Sequence, residues 1–122
     1  MSRMPHTIEA SEPLEKAHEL MREYQIRHLP VLRDGELVGI VTLGDLHLLE
    51  TLKDVNLKVE VADAMTEKPF TVAPDDRLDQ VAALMADKRV SSVVVMENSE
   101  IQGIFTNIDA LTTLLHLWKR AP

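Results

Sequence analysis

The stretch Gly39-Ile40-Val41-Thr42-Leu43-Gly44-Asp45 returns sixty-four positions later as Gly103-Ile104-Phe105-Thr106-Asn107-Ile108-Asp109. The same offset, without a gap, matches Pro5 to Pro69, Thr7 to Thr71, Leu14 to Leu78, Leu20 to Leu84, Met21 to Met85, Val31 to Val95 and Glu36 to Glu100. A register held over this length makes the chain two copies of one unit, and such a repeat constrains the fold more than any isolated motif. The copies are expected to form a pseudo-two-fold pair.

Each copy reads as β-α-β-β-α. In the first, His6 to Glu9 suggests a short strand, and Ser11-Glu12-Pro13 offers a capping hydroxyl and a proline for the first turn of a helix. Leu14, Ala17, Leu20, Met21 and Tyr24 recur at helical spacing, which predicts a helix to about Gln25 with one apolar stripe. A strand follows over Leu29 to Arg33, with Pro30 near its start. Asp34-Gly35 then separates two apolar runs, the signal of a type I′ hairpin turn, which needs positive φ at both central residues. Gly39 to Thr42 completes the hairpin, and a second helix is predicted from Gly44 to about Lys53.

The second copy repeats the plan. It has a strand at Phe70 to Val72 and a helix from about Arg77 to Lys88, with Leu78, Val81, Ala82, Leu84 and Met85 inward. Strands near Ser92 to Glu97 and Ile101 to Thr106 and a final helix to about Lys119 complete it. Asn98-Ser99 is a weaker turn signal than Asp34-Gly35. Repeat 1 is expected over residues 1–53, a polar link over 54–60 and repeat 2 over 61–120.

The runs Val93-Val94-Val95-Met96 and Ile40-Val41 lack polar alternation, so both faces of those strands are expected to be covered. The predicted class is α/β (α+β), two small sheets packed together with helices outside. With 45% hydrophobic residues and only four aromatics, the core must be filled by aliphatic side chains and methionine, Met21 and Met85 among them. The last helix of each copy carries more apolar residues than one stripe can hide: Leu46, Leu48, Leu49 and Leu52, then Leu111, Leu114, Leu115, Leu117 and Trp118. A homodimer through these helices, after Thr42 and Thr106, is the expectation.

Composition narrows the function. A net charge of -7 argues against nonspecific binding to nucleic acid or anionic membranes, yet leaves room for one anionic ligand in a locally basic site. The absence of cysteine removes disulfides and thiolate metal sites and is compatible with the cytoplasm. No apolar run suggests a signal peptide or a membrane span.

Thr42-x-x-Asp45 and Thr106-x-x-Asp109 each close a strand and open a helix. One reading is a capping box, in which the Thr oxygen accepts an orphan N–H and the acid favours the positive end of the helix dipole. The other uses the same groups to hold a ribose phosphate, with N–H groups and the Thr hydroxyl on phosphate and the carboxylate on the ribose hydroxyls. Spacing alone does not choose between them.

The whole pattern, with Ala64-Met65-Thr66-Glu67-Lys68-Pro69, Arg27-His28-Leu29-Pro30-Val31 and Asp34-Gly35-Glu36-Leu37-Val38-Gly39, resembles the cystathionine β-synthase (CBS) domain, here as a tandem pair, or Bateman module. The resemblance implies a regulatory module, not an enzyme, that senses adenosine nucleotides in clefts between the repeats: AMP, ADP or ATP, sometimes S-adenosylmethionine. No cofactor is implied, although Mg2+ can accompany a polyphosphate. Asp45 and Asp109 would hold ribose, and Thr42 and Thr106 phosphate. Arg27 and His28, or Ser91 and Ser92, would contact phosphate or base, and backbone around Thr7-Ile8 and Thr71-Val72 would meet the adenine. The two sites are unequal, since the cations Arg27 and His28 are matched by serines, so the Asp45 site is expected to bind a charged nucleotide more tightly. Any output would act on another polypeptide, because 122 residues leave no room for a catalytic domain beside the pair.

Other constellations are weaker. His47-Leu48-Leu49-Glu50 is a lone His-x-x-Glu without a third ligand and reads as a surface pair. No residues stand at spacings that suggest nucleophilic catalysis, and no glycine-rich phosphate loop is present. The competing function is a ligand-independent interaction scaffold whose Thr-x-x-Asp motifs only cap helices.

Overall fold

The computed structural model describes residues 2–3, 6–50 and 59–120. The elements are β1 (Ser2–Arg3), β2 (Ile8–Glu9), α1 (Leu14–Tyr24), β3 (His28–Arg33), β4 (Glu36–Thr42), α2 (Leu43–Glu50), α3 (Val61–Ala64), β5 (Thr66–Glu67), β6 (Thr71–Val72), α4 (Leu78–Lys88), β7 (Ser92–Glu97), β8 (Glu100–Thr106) and α5 (Asn107–Arg120). A shift of sixty-four positions carries β1 onto β5, α1 onto α4, β3 onto β7 and β4 onto β8, residue for residue. The class is mixed α/β with two small sheets. The expected continuation of α2 to Lys53, with Leu52, and residues 54–58 of the expected link lie outside the described residues.

The chain forms two compact units, each with its own sheet. One unit is His6–Pro69, with strand order β2-β3-β4-β5; the other runs from Phe70 onward and takes in β1, with order β1-β8-β7-β6. The leading strand of each copy therefore completes the sheet of the other: Ser2 pairs with Ile104 and Arg3 with Gly103, while Thr66 pairs with Ile40 and Glu67 with Gly39. Backbone bonds explain why α3 stays with the first unit. Val61 N–H donates to Glu12 O (2.9 Å), Ala62 N–H to Ala10 O (3.0 Å), and Leu14 N–H to Val59 O (3.0 Å). Gly39 lets β5 approach, since a Cβ there would lie 2.5 Å from Met65 Sδ and 2.8 Å from Thr66 O.

Both hairpins turn through positive φ, at Asp34 (53°) and Gly35 (81°) as expected, and at Asn98 (53°) and Ser99 (65°) without any glycine. α1 ends where Gln25 enters the left-handed region and Ile26 N–H returns to Met21 O at 3.0 Å; Arg89 and Val90 close α4 in the same way. The start of α1 departs from expectation. Pro13 occupies the cap position and no side chain caps the helix, so the Ser11 hydroxyl does not serve.

The first core gathers Ile8, Ala10, Ala17, Met21, Leu29, Val31, Val41, Leu46 and Val61; the second gathers Val81, Met85 and Val93, with Val72, Val90 and Phe105 half-buried around them. Pro30, Ile40, Val94 and Ile104 are buried as well, so the apolar strands are covered on both faces. Three apolar expectations change. Leu46 is buried within its own unit rather than offered to a partner. Leu78 is 42% exposed, whereas its counterpart Leu14 is half-buried against the first core. Tyr24 is also exposed, its ring stacked on His6 with centroids 3.7 Å apart. No described helix is long and apolar enough to cross a membrane.

Candidate functional site

The strand-to-helix junction of each copy forms a reciprocal cap. Thr42 N–H donates to Asp45 Oδ2 (2.9 Å) and Asp45 N–H to Thr42 Oγ1 (3.2 Å). Thr106 and Asp109 repeat both bonds at the same distances, and Thr106 Oγ1–H adds a third to Asp109 Oδ2 (3.1 Å). The capping role is therefore built in both copies. All four side chains are half-buried.

A tally of the N–H groups at the helix starts corrects the expectation that several stay open for an anion. Leu43 N–H donates to Arg27 O and Asn107 N–H to Ser91 O, each at 2.9 Å. In the second copy Ile108 N–H is also taken, by Asn107 Oδ1 at 3.0 Å. Its counterpart in the first copy is Gly44 N–H, at an exposed position where an added Cβ would meet only Thr42 Oγ1, 3.7 Å away. Leu43 stands where Asn107 does, so the first copy lacks the side-chain acceptor that takes the Ile108 N–H in the second.

The fold brings most of the expected residues to these junctions. Arg27 is tied to α2 through its carbonyl, and His28 pairs with Thr42 across β3 and β4; Ser91 and Ser92 stand in the same relation to Asn107 and Thr106. Thr7 and Ile8 lie one strand further away, Ile8 paired with Val31, three residues along β3 from His28. The Ile8 side chain is buried, so only its backbone can meet a ligand. Thr71 and Val72 pair with Val94 and Val95 in the equivalent place. The replacement of Pro30 by Val94 has a visible effect: Val94 N–H donates to Phe70 O at 3.0 Å, a bond that proline cannot give to the matching carbonyl of His6.

The first junction thus combines the half-buried Asp45 carboxylate and Thr42 hydroxyl with the exposed Arg27, whose carbonyl is bound to the start of α2. A carboxylate has about four acceptor sites, so the cap on Asp45 Oδ2 leaves capacity for the hydroxyls of a diol. In the second junction the exposed Ser91 offers no charge. Lys88 lies 3.7 Å from Asp87, and Arg89 forms the helix C-cap. No group of three metal-ligating side chains occurs among the described residues, and His47 is exposed. Gly44 and Asn107 are the contributors that the sequence reading missed. Their signal was the pairing of Leu43 with Asn107 and of Gly44 with Ile108, where the copies diverge inside the conserved frame of Thr and Asp.

Known proteins share this architecture. The inosine-5'-monophosphate dehydrogenase of Korarchaeum cryptofilum is 36% identical over 104 residues, which span 84% of this chain but only 21% of that enzyme. The CBS domain pair of protein MJ0100, solved in complex with 5'-methylthioadenosine and S-adenosyl-L-methionine, superposes with a TM-score of 0.83 at 27% identity, covering 98% of this chain and 94% of that one. CBSX2, from Arabidopsis thaliana, solved in complex with AMP, gives a TM-score of 0.77 at 26% identity and covers 97% and 94%. The CBS domain family itself matches twice, over residues 1–49 and 61–116. With both copies matched, the chain belongs to the CBS domain family and carries that domain as a tandem pair.

Proposed function

We propose that this chain is a regulatory module that binds an adenosine nucleotide, AMP, ADP or ATP, or S-adenosylmethionine, and passes its occupancy to a partner protein. The observation that carries the reading is the Thr42–Asp45 junction, where a half-buried carboxylate opens a helix whose first N–H is held by the carbonyl of the exposed Arg27. The adenosine ligands of MJ0100 and CBSX2 support the ligand class. Asp45 would take the ribose hydroxyls, with Thr42, Gly44 N–H, Arg27 and His28 on phosphate and backbone at Thr7-Ile8 along the adenine. The site of Thr106, Asp109, Ser91, Ser92, Thr71 and Val72 is the weaker one for a charged ligand. Mg2+ would enter only with a polyphosphate. The module acts in the cytoplasm as a homodimer, and the signal is the difference in ligand affinity between two arrangements of the protein.

The test is thermal unfolding against AMP, ADP, ATP, S-adenosylmethionine and guanosine nucleotides. A native-state ligand at a hundred times its Kd adds about 2.7 kcal/mol, a shift of several degrees for a chain of this size. A shift confined to adenosine compounds is expected, and no shift with any of them overturns the reading. The completed capping boxes favour a second reading, a scaffold that holds its partner regardless of nucleotide. Capture of the same partner in equal amount with and without nucleotide would establish it.

A further inference from the structure

The two units differ in one segment. In the first, α3 lies against α1, α2 and β4 and puts the fully buried Val61 into the core. Backbone bonds seat it: Val61 N–H on Glu12 O, Ala62 N–H on Ala10 O and Leu14 N–H on Val59 O, with Glu60 bridged to Pro13. Sixty-four positions on, those acceptors are Asp76 O and Pro74 O and that donor is Leu78 N–H, all at exposed residues. None of them carries such a bond among the described residues. The apolar lining is uncovered as well. Leu78 is 42% exposed, and Ala110, in the place of the fully buried Leu46, is half-buried.

The seat of α3 defines what fits the matching face. It takes one helical turn, about 6 Å long at 1.5 Å per residue, entered from extended backbone at Glu60. Val61 points inward, and Ala62 and Ala64 pack against the core beside it. Such a contact is far smaller than the ~800 Å2 that each partner gives to a standing interface between folded chains, so its occupant is a short segment and not a second copy. Charge sets that occupant apart from α3. Position 60 lies beside Glu12 and Pro13, whose counterparts are Asp76 and Arg77. Arg77 is already held by Asp79, at 2.9 and 3.1 Å, whereas neither Asp75 nor Asp76 has a cation partner among the described residues. Where α3 carries Glu60, an occupant of the second face gains from a cation.

We infer that the face of the second unit around Pro74, Asp76 and Leu78 docks a partner protein through a short segment, one helical turn with valine and alanine inward and a lysine or arginine in the place of Glu60. The inference rests on the reading above for the existence of a partner and gives that partner a place to bind. It uses none of the groups at the Thr42–Asp45 junction.

Two peptides test it on the whole chain without nucleotide, so that this result and the thermal shift with AMP stand or fall separately. One has the sequence of residues 58–66, Lys-Val-Glu-Val-Ala-Asp-Ala-Met-Thr, and the other carries Glu60→Lys. In an NMR titration the methyl signals of Leu78, Val81 and Ala110 should shift while those of Leu14 and Ala17 stay. The lysine peptide should bind more tightly by roughly two- to fivefold at low ionic strength, an advantage that high salt removes. Leu78→Lys alters an exposed position, so the variant keeps its core, which circular dichroism melting verifies, and it should weaken the lysine peptide on the order of tenfold or more. Val61→Asp in the peptide should do the same without touching the protein. Failure of both peptides to bind overturns the docking face, and so do shifts confined to Leu14 and Ala17, which would mean that the peptide displaces α3 in the first unit. Equal affinity of the two peptides at low salt overturns the basic segment.

Discussion

Asp45 has two roles that substitution can separate, because its carboxylate supports the fold through one oxygen and would meet ligand through its remaining acceptor sites. In Asp45→Asn the amide oxygen still accepts the Thr42 N–H bond of 2.9 Å, and the bond from residue 45 N–H to Thr42 Oγ1 is untouched. What is lost is the charge beside the helix dipole, about 0.3–1 kcal/mol. In Asp45→Ala the half-buried Thr42 N–H loses its acceptor too, which costs about 1 kcal/mol more. Thermal unfolding without ligand should therefore fall by roughly 1–4 degrees for Asp45→Asn and by roughly twice the amide's loss or more for Asp45→Ala. Ligand binding should not follow that order. Charge-assisted hydrogen bonds contribute about 1.5–3 kcal/mol each, so both variants should lose AMP affinity on the order of tenfold to a few hundredfold in titration calorimetry. If Asp45→Asn binds AMP as the wild type does while Asp45→Ala only melts earlier, the carboxylate is a cap and nothing else.

Three further outcomes follow from particular contacts. Arg27→Ala keeps the carbonyl that holds Leu43 N–H; it should lower affinity for AMP on the order of tenfold while leaving unphosphorylated adenosine unchanged, and equal losses for both would remove Arg27 from the phosphate. Gly39→Ala places a methyl 2.8 Å from the Thr66 carbonyl and should destabilise by about 1–3 kcal/mol in urea unfolding; adding Met65→Ala should not fully relieve it, because the backbone oxygen stays. Ser99→Gly relieves a left-handed residue at φ 65° and should raise stability by roughly 0.5 kcal/mol, the gain being trimmed by the freer unfolded chain; no change or a loss in the unfolding midpoint would contradict it.

The repeat made most of the fold legible. Once Gly39–Asp45 was matched to Gly103–Asp109, each element of one copy was read with support from the other, and β3, β7 and both hairpins came out within a residue or two. The exchange of leading strands stayed hidden because Ser2–Arg3 and Thr66–Glu67 are two-residue strands, too short to carry a period. Leu78 misled for a related reason: it sits on the right helical face, but only Leu14 packs against a core. At the site, residue types were readable and bond allocation was not. Thr-x-x-Asp looks the same whether its N–H groups are open or spent, and only the backbone bonds to Arg27 and Ser91 distinguish the two.

The pairing of Ser2 with Ile104 sets an order of events during synthesis. β1 is made about a hundred positions ahead of its partner β8, and the two can meet only when all the elements between them have been synthesised. β5, by contrast, follows its partner β4 closely, so the first sheet can close while the second copy is still being made. Ser2 and Arg3 must wait unpaired until β8 has been made, since a contact of such separation forms only after the intervening chain exists. The second sheet is thus completed by residues made before the first sheet was begun.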